Sequence, residues 1–163
     1  MSTSAAEQLA RLAEVRDAIA AAEARESDLR SRQRDELAEA LGAGATVAEV
    51  VEASGLSRAY LHRVEVPLYT PQTTHARVLR ESGKLDPAGP REVALQAARQ
   101  LRDEIELIRG ETADQRKKRS ELTVAIARDR DVSRAAVETA AGVSSEWIRK
   151  QMRAAGSRAA KPS

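Results

Sequence analysis

The apolar positions of this chain fall on a helical period, and they do so in two long stretches. Neither Pro nor Gly occurs before Gly42, and Leu12, Val15, Ile19, Ala22, Leu29, Leu37 and Leu41 recur mostly at spacings of three or four, which lines one face of an α-helix. This stripe is narrow, Ala-rich at its centre and interrupted by Glu26 and Gln33. It predicts one long helix, or a helix pair, whose seam needs a covering partner. A second stripe, Val93, Ala97, Leu101, Ile105 and Ile108, predicts another long helix. After Gly110 it fades into the polar run 111–120, read as solvated helix or loop.

Between the stripes, residues 66–90 carry Pro67, Pro71, Pro87 and Pro90 together with Gly83 and Gly89. Proline fixes φ and lacks an amide donor, so no helix is predicted to run through this segment. It reads as a linker that packs through Tyr69, Val78 and Leu79. Ala, Arg, Glu, Leu and Gln dominate the rest, and the only aromatics are Tyr60, Tyr69 and Trp147. That composition favours helix over strand. The predicted fold class is all-α.

The two stripes belong to an internal repeat. Val15-Arg16-Asp17-Ala18-Ile19 is echoed by Leu101-Arg102-Asp103-Glu104-Ile105, and Arg34-Asp35-Glu36-Leu37 by Arg119-Ser120-Glu121-Leu122. Ala53-Ser54-Gly55-Leu56-Ser57 with Tyr60-Leu61-His62-Arg63 is echoed by Ala140-Ala141-Gly142-Val143-Ser144 with Trp147-Ile148-Arg149-Lys150. Three matches in one order, at offsets of 86, 85 and 87, mark a duplicated unit. The predicted organisation is two tandem long-helix units, 6–65 and 91–154, joined by the 66–90 linker and followed by a basic flexible tail, 155–163. Two ways of covering the seams stand open: homodimerisation through the long helices in coiled-coil fashion, or packing of copy against copy within one chain.

The second half of the first copy carries the candidate chemistry. Thr46 with Glu49 three residues on has the form of a capping box. Val47, Val50 and Val51 supply a short apolar face. Gly55 suits a left-handed turn, and Ser57 suits the cap of a second helix with Leu61 and Val64 inward. Arg58, Ala59, His62 and Arg63 then face out. A scaffold helix, a short helix, a glycine turn and a second helix make the arrangement whose last helix enters the major groove.

The run Gly44-Ala45-Thr46-Val47-Ala48-Glu49-Val50, then Gly55-Leu56-Ser57-Arg58-Ala59 and Leu61-His62-Arg63, resembles resolvase-type helix-turn-helix DNA-binding domains. It is also similar to small actinobacterial and phage proteins that follow a charged helix with such a unit. The likeness covers residues 34–65 and, more loosely, 119–153. It implies a double-stranded DNA partner, without implying one biological process. Carried over residue by residue, it places Ser57, Arg58, Ala59, His62 and Arg63 at the groove, and in the second copy Ser145, Glu146, Arg149, Lys150 and Arg153. Arg63 and Lys150 fall where phosphate contacts are usual. Tyr60 and Trp147 occupy equivalent slots and are read as packing against the scaffold helix.

The sequence also departs from that pattern. Val51 stands where the family usually has Ala, four before the turn glycine, and the second copy has Glu138 there. The second copy also lacks the capping box, because Ser133 is followed at the Glu position by Ala136.

Charge sharpens this reading. The net formal charge is only +2, but residues 1–90 hold 11 Lys/Arg against 14 Asp/Glu while residues 91–163 hold 16 against 11. Arg116, Lys117, Lys118 and Arg119 form a basic run suited to anchoring phosphates. There is no cysteine, and His62 and His75 stand apart from any metal-ligand spacing or glycine-rich phosphate loop. The expectation is a non-enzymatic protein with no cofactor and no membrane span, in the cytoplasm and associated with the nucleoid. The competing expectation is a helical adaptor, scaffold or small-terminase-like packaging subunit acting through protein contacts.

Overall fold

A computed structural model describes residues 4–84, 89–129 and 131–159, with side chains to residue 156. The described residues are helical or in turns, and the chain is all-α. Its helices are α1 (Ala5–Gly42), α2 (Val47–Ser54), α3 (Arg58–Arg63), α4 (Pro71–Glu81), α5 (Gly89–Ala127), α6 (Arg134–Ala141) and α7 (Ser145–Ala159).

The first stripe is one continuous helix of 38 residues, and the second is one of 39 residues running straight through the polar stretch 111–120. The fade after Gly110 is therefore a largely exposed part of a helix, within which Thr112 is buried. Within the segment read as a linker, residues 71–81 are also helical. The prolines flank that helix. Pro71 sits at its first turn, where no amide donor is needed, and Thr70 caps it by accepting from Thr73 N at 3.2 Å. Pro90 likewise lies in the first turn of α5, while Pro87 lies outside the described residues. The segment packs through Val66, Leu68, Thr73 and Ala76, whereas Tyr69 and Val78 are exposed. At the other end, α7 carries the helix through 155–159, and residues 160–163 of the expected tail lie outside the described residues.

The chain forms two compact units, and they do not coincide with the two copies. Unit 1 comprises residues 1–24 and 110–163; unit 2 comprises residues 25–109. Each unit therefore takes a piece of α1 and a piece of α5, accompanied by α2, α3 and α4 in unit 2 and by α6 and α7 in unit 1. In unit 2 the two long helices run antiparallel: Arg25 meets Glu104, Glu26 meets Arg109, and further along α1 Gln33 reaches back to Ala98. In unit 1, Glu23 meets Arg116 and Leu12 shares a core with Ile126.

The interruptions in the first stripe are part of this seam. Gln33 is buried, and its side-chain amide donates to the Ala98 carbonyl at 3.2 Å, so the polar group is satisfied. Burial works against the Glu26 carboxylate, but hydrogen bonds from Arg30 and Arg109 outweigh it and hold its pKa below the ordinary range. The second stripe is shifted from the predicted one. Ala94, Leu95, Ala98, Leu101, Ile105 and Ile108 are buried, while Val93 is 70% exposed.

The core of unit 2 gathers Leu37, Leu41, Val47, Val50, Leu61 and Leu95 with several alanines and with Val66 and Leu68. That of unit 1 gathers Leu12, Ile126, Val137, Ile148 and two alanines, edged by Leu122, Val143 and Trp147. Both are almost free of rings.

Candidate nucleic-acid interface

In unit 2 the short helix pair forms as its sequence predicts. Thr46 accepts from Glu49 N at 3.2 Å while the Glu49 carboxylate accepts from Thr46 N at 2.7 Å, which closes the capping box. Gly55 ends α2 with φ 66°, and its amide donates to the Val51 carbonyl at 3.0 Å. Ser57 then caps α3 by accepting from Tyr60 N at 3.2 Å. Leu61 is fully buried beneath α3. Ser57, Arg58, Ala59, His62 and Arg63 are all exposed. Tyr60 is half-buried and lines a cleft of about 180 Å³ with Arg30 and Arg34 of α1, in agreement with the packing role expected for it. Arg63 lies over the Tyr60 ring, 5.4 Å from its centre.

Two features of this pair go beyond the sequence reading. Arg80 of α4 binds the Glu49 carboxylate in two-pronged fashion, at 2.6 and 2.9 Å, and also donates to the Gly44 carbonyl. Chiefly through Arg80, helped by the Thr46 donors and against some burial, the Glu49 pKa is pushed down to about 2. The second feature limits α3. Glu65 takes the left-handed conformation at φ 61°, with Glu65 N donating to the His62 carbonyl and Val66 N to the Leu61 carbonyl. This is a Schellman ending built without glycine. It stops α3 after 6 residues.

In unit 1 the equivalent pair is capped differently. Ser133 accepts from Ala136 N at 3.2 Å, and no second capping bond accompanies it, as the Ala136 position implied. Gly142 ends α6 with φ 64°. Ser144 caps α7 by accepting from Trp147 N at 3.3 Å. Glu138, anomalous in sequence at the helix contact, accepts a hydrogen bond from the Ser145 hydroxyl. A carboxylate at the start of α7 is also favoured by the helix dipole. Ile148 is fully buried, as Leu61 is in the other unit. Glu146, Arg149, Lys150 and Arg153 are exposed, and with Ser144, Ser145 and Trp147 they line a shallow concavity of about 730 Å³. Ser145 is half-buried, so of the α7 candidates it alone is partly withdrawn.

The basic run on α5 splits in two. Lys117 and Lys118 are exposed. Arg116 is held by Glu23 at 2.6 Å. Arg119 is half-buried, its guanidinium 5.6 Å from the centre of the Trp147 ring. Arg119 thereby packs against Trp147 of α7.

A contact missed in sequence ties each short pair to a long helix of the other copy. Arg102 packs its stem behind Gly55, and its guanidinium donates to the Glu52 carbonyl at 3.2 Å. Arg16 does the same behind Gly142, donating to the Thr139 carbonyl at 2.8 Å. These arginines are equivalent in the repeat, and their identity in both copies was the available signal. Each satisfies a carbonyl that the end of a helix leaves without an intrahelical partner.

Among the described residues no cluster of His, Asp or Glu could hold a metal ion, and no helix is long and apolar enough to cross a membrane. No family model, curated protein or solved structure matches this chain.

Proposed function

We propose that this chain is a non-enzymatic DNA-binding protein, of the transcription-regulator or nucleoid-associated type, that reads the major groove of double-stranded DNA with its helix-turn-helix units. The observation that carries this reading is the joint exposure of Arg58, His62 and Arg63 on one short helix whose inner face is closed by Leu61. The same division recurs on α7, with Arg149, Lys150 and Arg153 outside and Ile148 inside. Arginine on such a face can donate to guanine acceptors, each good two-pronged contact discriminating by roughly 1–3 kcal/mol. Residues near the helix ends hold phosphates. Homodimerisation is not needed to cover α1 and α5, because within each unit the two helices cover each other.

A second reading, a helical adaptor, draws on the exposed apolar side chains of Val93 and Leu107, 70% and 63% accessible on α5. Gel shifts on genomic fragments at low salt separate the two. A DNA-binding protein shifts fragments, and Arg58→Ala/Arg63→Ala or Arg149→Ala/Lys150→Ala weakens the shift. An adaptor shifts none.

A further inference from the structure

We infer that the affinity for duplex phosphates resides in unit 1, on the exposed face of α7, and that unit 2 contributes little of it. This rests on the DNA-binding reading and assigns it to one of the two candidate faces.

Three independent observations converge. The first is charge. Sorted by the compact units instead of by the copies, unit 1 holds 14 Lys/Arg against 11 Asp/Glu, or +3, and unit 2 holds 13 against 14, or −1. Arg149, Lys150 and Arg153 of α7 belong to the more basic of the two sets.

The second is what the cations already hold. In unit 2, Arg25, Arg30, Arg80, Arg99, Arg102 and Arg109 each pair with a carboxylate of that unit. An arginine bound to a carboxylate must give it up before it can take a phosphate. On the two candidate faces, among the described residues, Arg58 and Arg63 of α3 form no ion pair, Arg63 lying over the Tyr60 ring, and Arg149, Lys150 and Arg153 of α7 form none either, so α7 offers three unpaired cations against two. The carboxylate that shares this face is Glu146, three and four residues before Arg149 and Lys150, while Glu138 is engaged by the Ser145 hydroxyl at the helix start.

The third is length. The reading helix of unit 2 is cut at 6 residues, roughly 9 Å, by the left-handed Glu65. In unit 1, α7 runs for 15 residues, roughly 22 Å, enough to follow a groove for several phosphates. Arg149, Lys150 and Arg153 lie on one exposed stretch of it, along the concavity that Trp147 also lines.

The test is the salt dependence of binding. The full chain is titrated into a fluorescent mixed-sequence duplex of about 30 bp between about 50 and 200 mM salt, with helicity of every variant checked by circular dichroism. Each phosphate that a variant no longer neutralises flattens the slope of log affinity against log salt by about 0.9. Arg149→Ala/Lys150→Ala/Arg153→Ala is expected to flatten it by about 2–3 and to lower affinity more than about tenfold. Arg58→Ala/Arg63→Ala is expected to change the slope by less than about one. Arg149→Lys/Arg153→Lys, which keeps the charge, is expected to leave the slope as in the parent.

If Arg58→Ala/Arg63→Ala costs as much as the triple change, or more, the assignment to unit 1 is overturned while DNA binding stands. If the lysine variant loses slope like the alanine variant, charge on α7 is not the agent and the inference fails. Should the unaltered chain bind no duplex even at the lowest salt, or bind only anionic lipid vesicles, the DNA-binding reading itself falls.

Discussion

The Arg16 guanidinium donates to the main-chain carbonyl of Thr139 at 2.8 Å, linking positions 123 residues apart. Its counterpart Arg102 reaches the Glu52 carbonyl at 3.2 Å. Since Arg16 and Arg102 are equivalent in the repeat, as are Glu52 and Thr139, each copy braces the turn of the other. Arg16→Ala is expected to speed amide exchange in α6 and the turn into α7 while leaving α2 and α3 unchanged. Arg102→Ala should do the reverse. Site-resolved hydrogen exchange reads both, and a uniform loss of protection across the chain would contradict the account.

The same two turns are expected to resist substitution of their glycines. A Cβ on Gly142 would lie 2.9 Å from Arg16 Cδ, and one on Gly55 would lie 3.0 Å from Arg102 Cδ. Both glycines also sit at positive φ, where an L side chain costs roughly 1–2 kcal/mol. Gly142→Ala and Gly55→Ala should each destabilise by at least that amount. Gly110, inside α5 and with open space where a Cβ would point, makes the contrast. Gly110→Ala should stabilise by roughly 0.5–1 kcal/mol, measured by urea denaturation.

Glu49 supplies a pH signature. Its pKa is about 2 in the folded chain against an ordinary 4.5, held down mainly by Arg80. A depressed carboxylate stabilises the fold fully above its unfolded pKa and loses that contribution as pH falls through the folded one. The window is therefore pH 4.5 to about 2. Solvent reaches about a third of the side chain, so the contribution is about 1–2 kcal/mol, less than the whole shift would give. The difference in urea midpoint between the parent and Glu49→Gln should be steady from pH 7 to 5 and close towards pH 2. A difference that does not change over that range would mean the Arg80 pair carries no stability.

The helices were legible because apolar period and caps act locally. Thr46, Glu49, Gly55 and Ser57 define α2 and the start of α3 with bonds no longer than four residues, and those bonds form as the sequence predicts. What the sequence hid was long-range. Gln33 and Glu26 looked like faults in a stripe because their partners, Ala98 and Arg109, lie 65 and 83 residues away. Pro67, Pro71 and Pro90 lie outside helix interiors as expected, but α4 fits between them. Glu65 gave no sign of its left-handed backbone, since that position usually asks for glycine or asparagine. Charge summed along the chain also mixed the two bodies, because the chain crosses between them twice within its long helices. The candidate faces on α3 and α7 were legible as exposed sets, and the difference between them was not.

The most direct test of how this molecule is built is whether α1 and α5 lie antiparallel within one chain. The sequence has no cysteine, so an introduced pair reacts alone. Arg25→Cys/Glu104→Cys, at positions that face each other in unit 2, should be joined in high yield by a short bismaleimide into a monomer carrying an internal bridge. Arg25→Cys/Glu92→Cys, with the second site moved roughly 18 Å along α5, should not be joined. Bridges that link two chains, or equal yields from both pairs, would contradict the pairing of copy against copy.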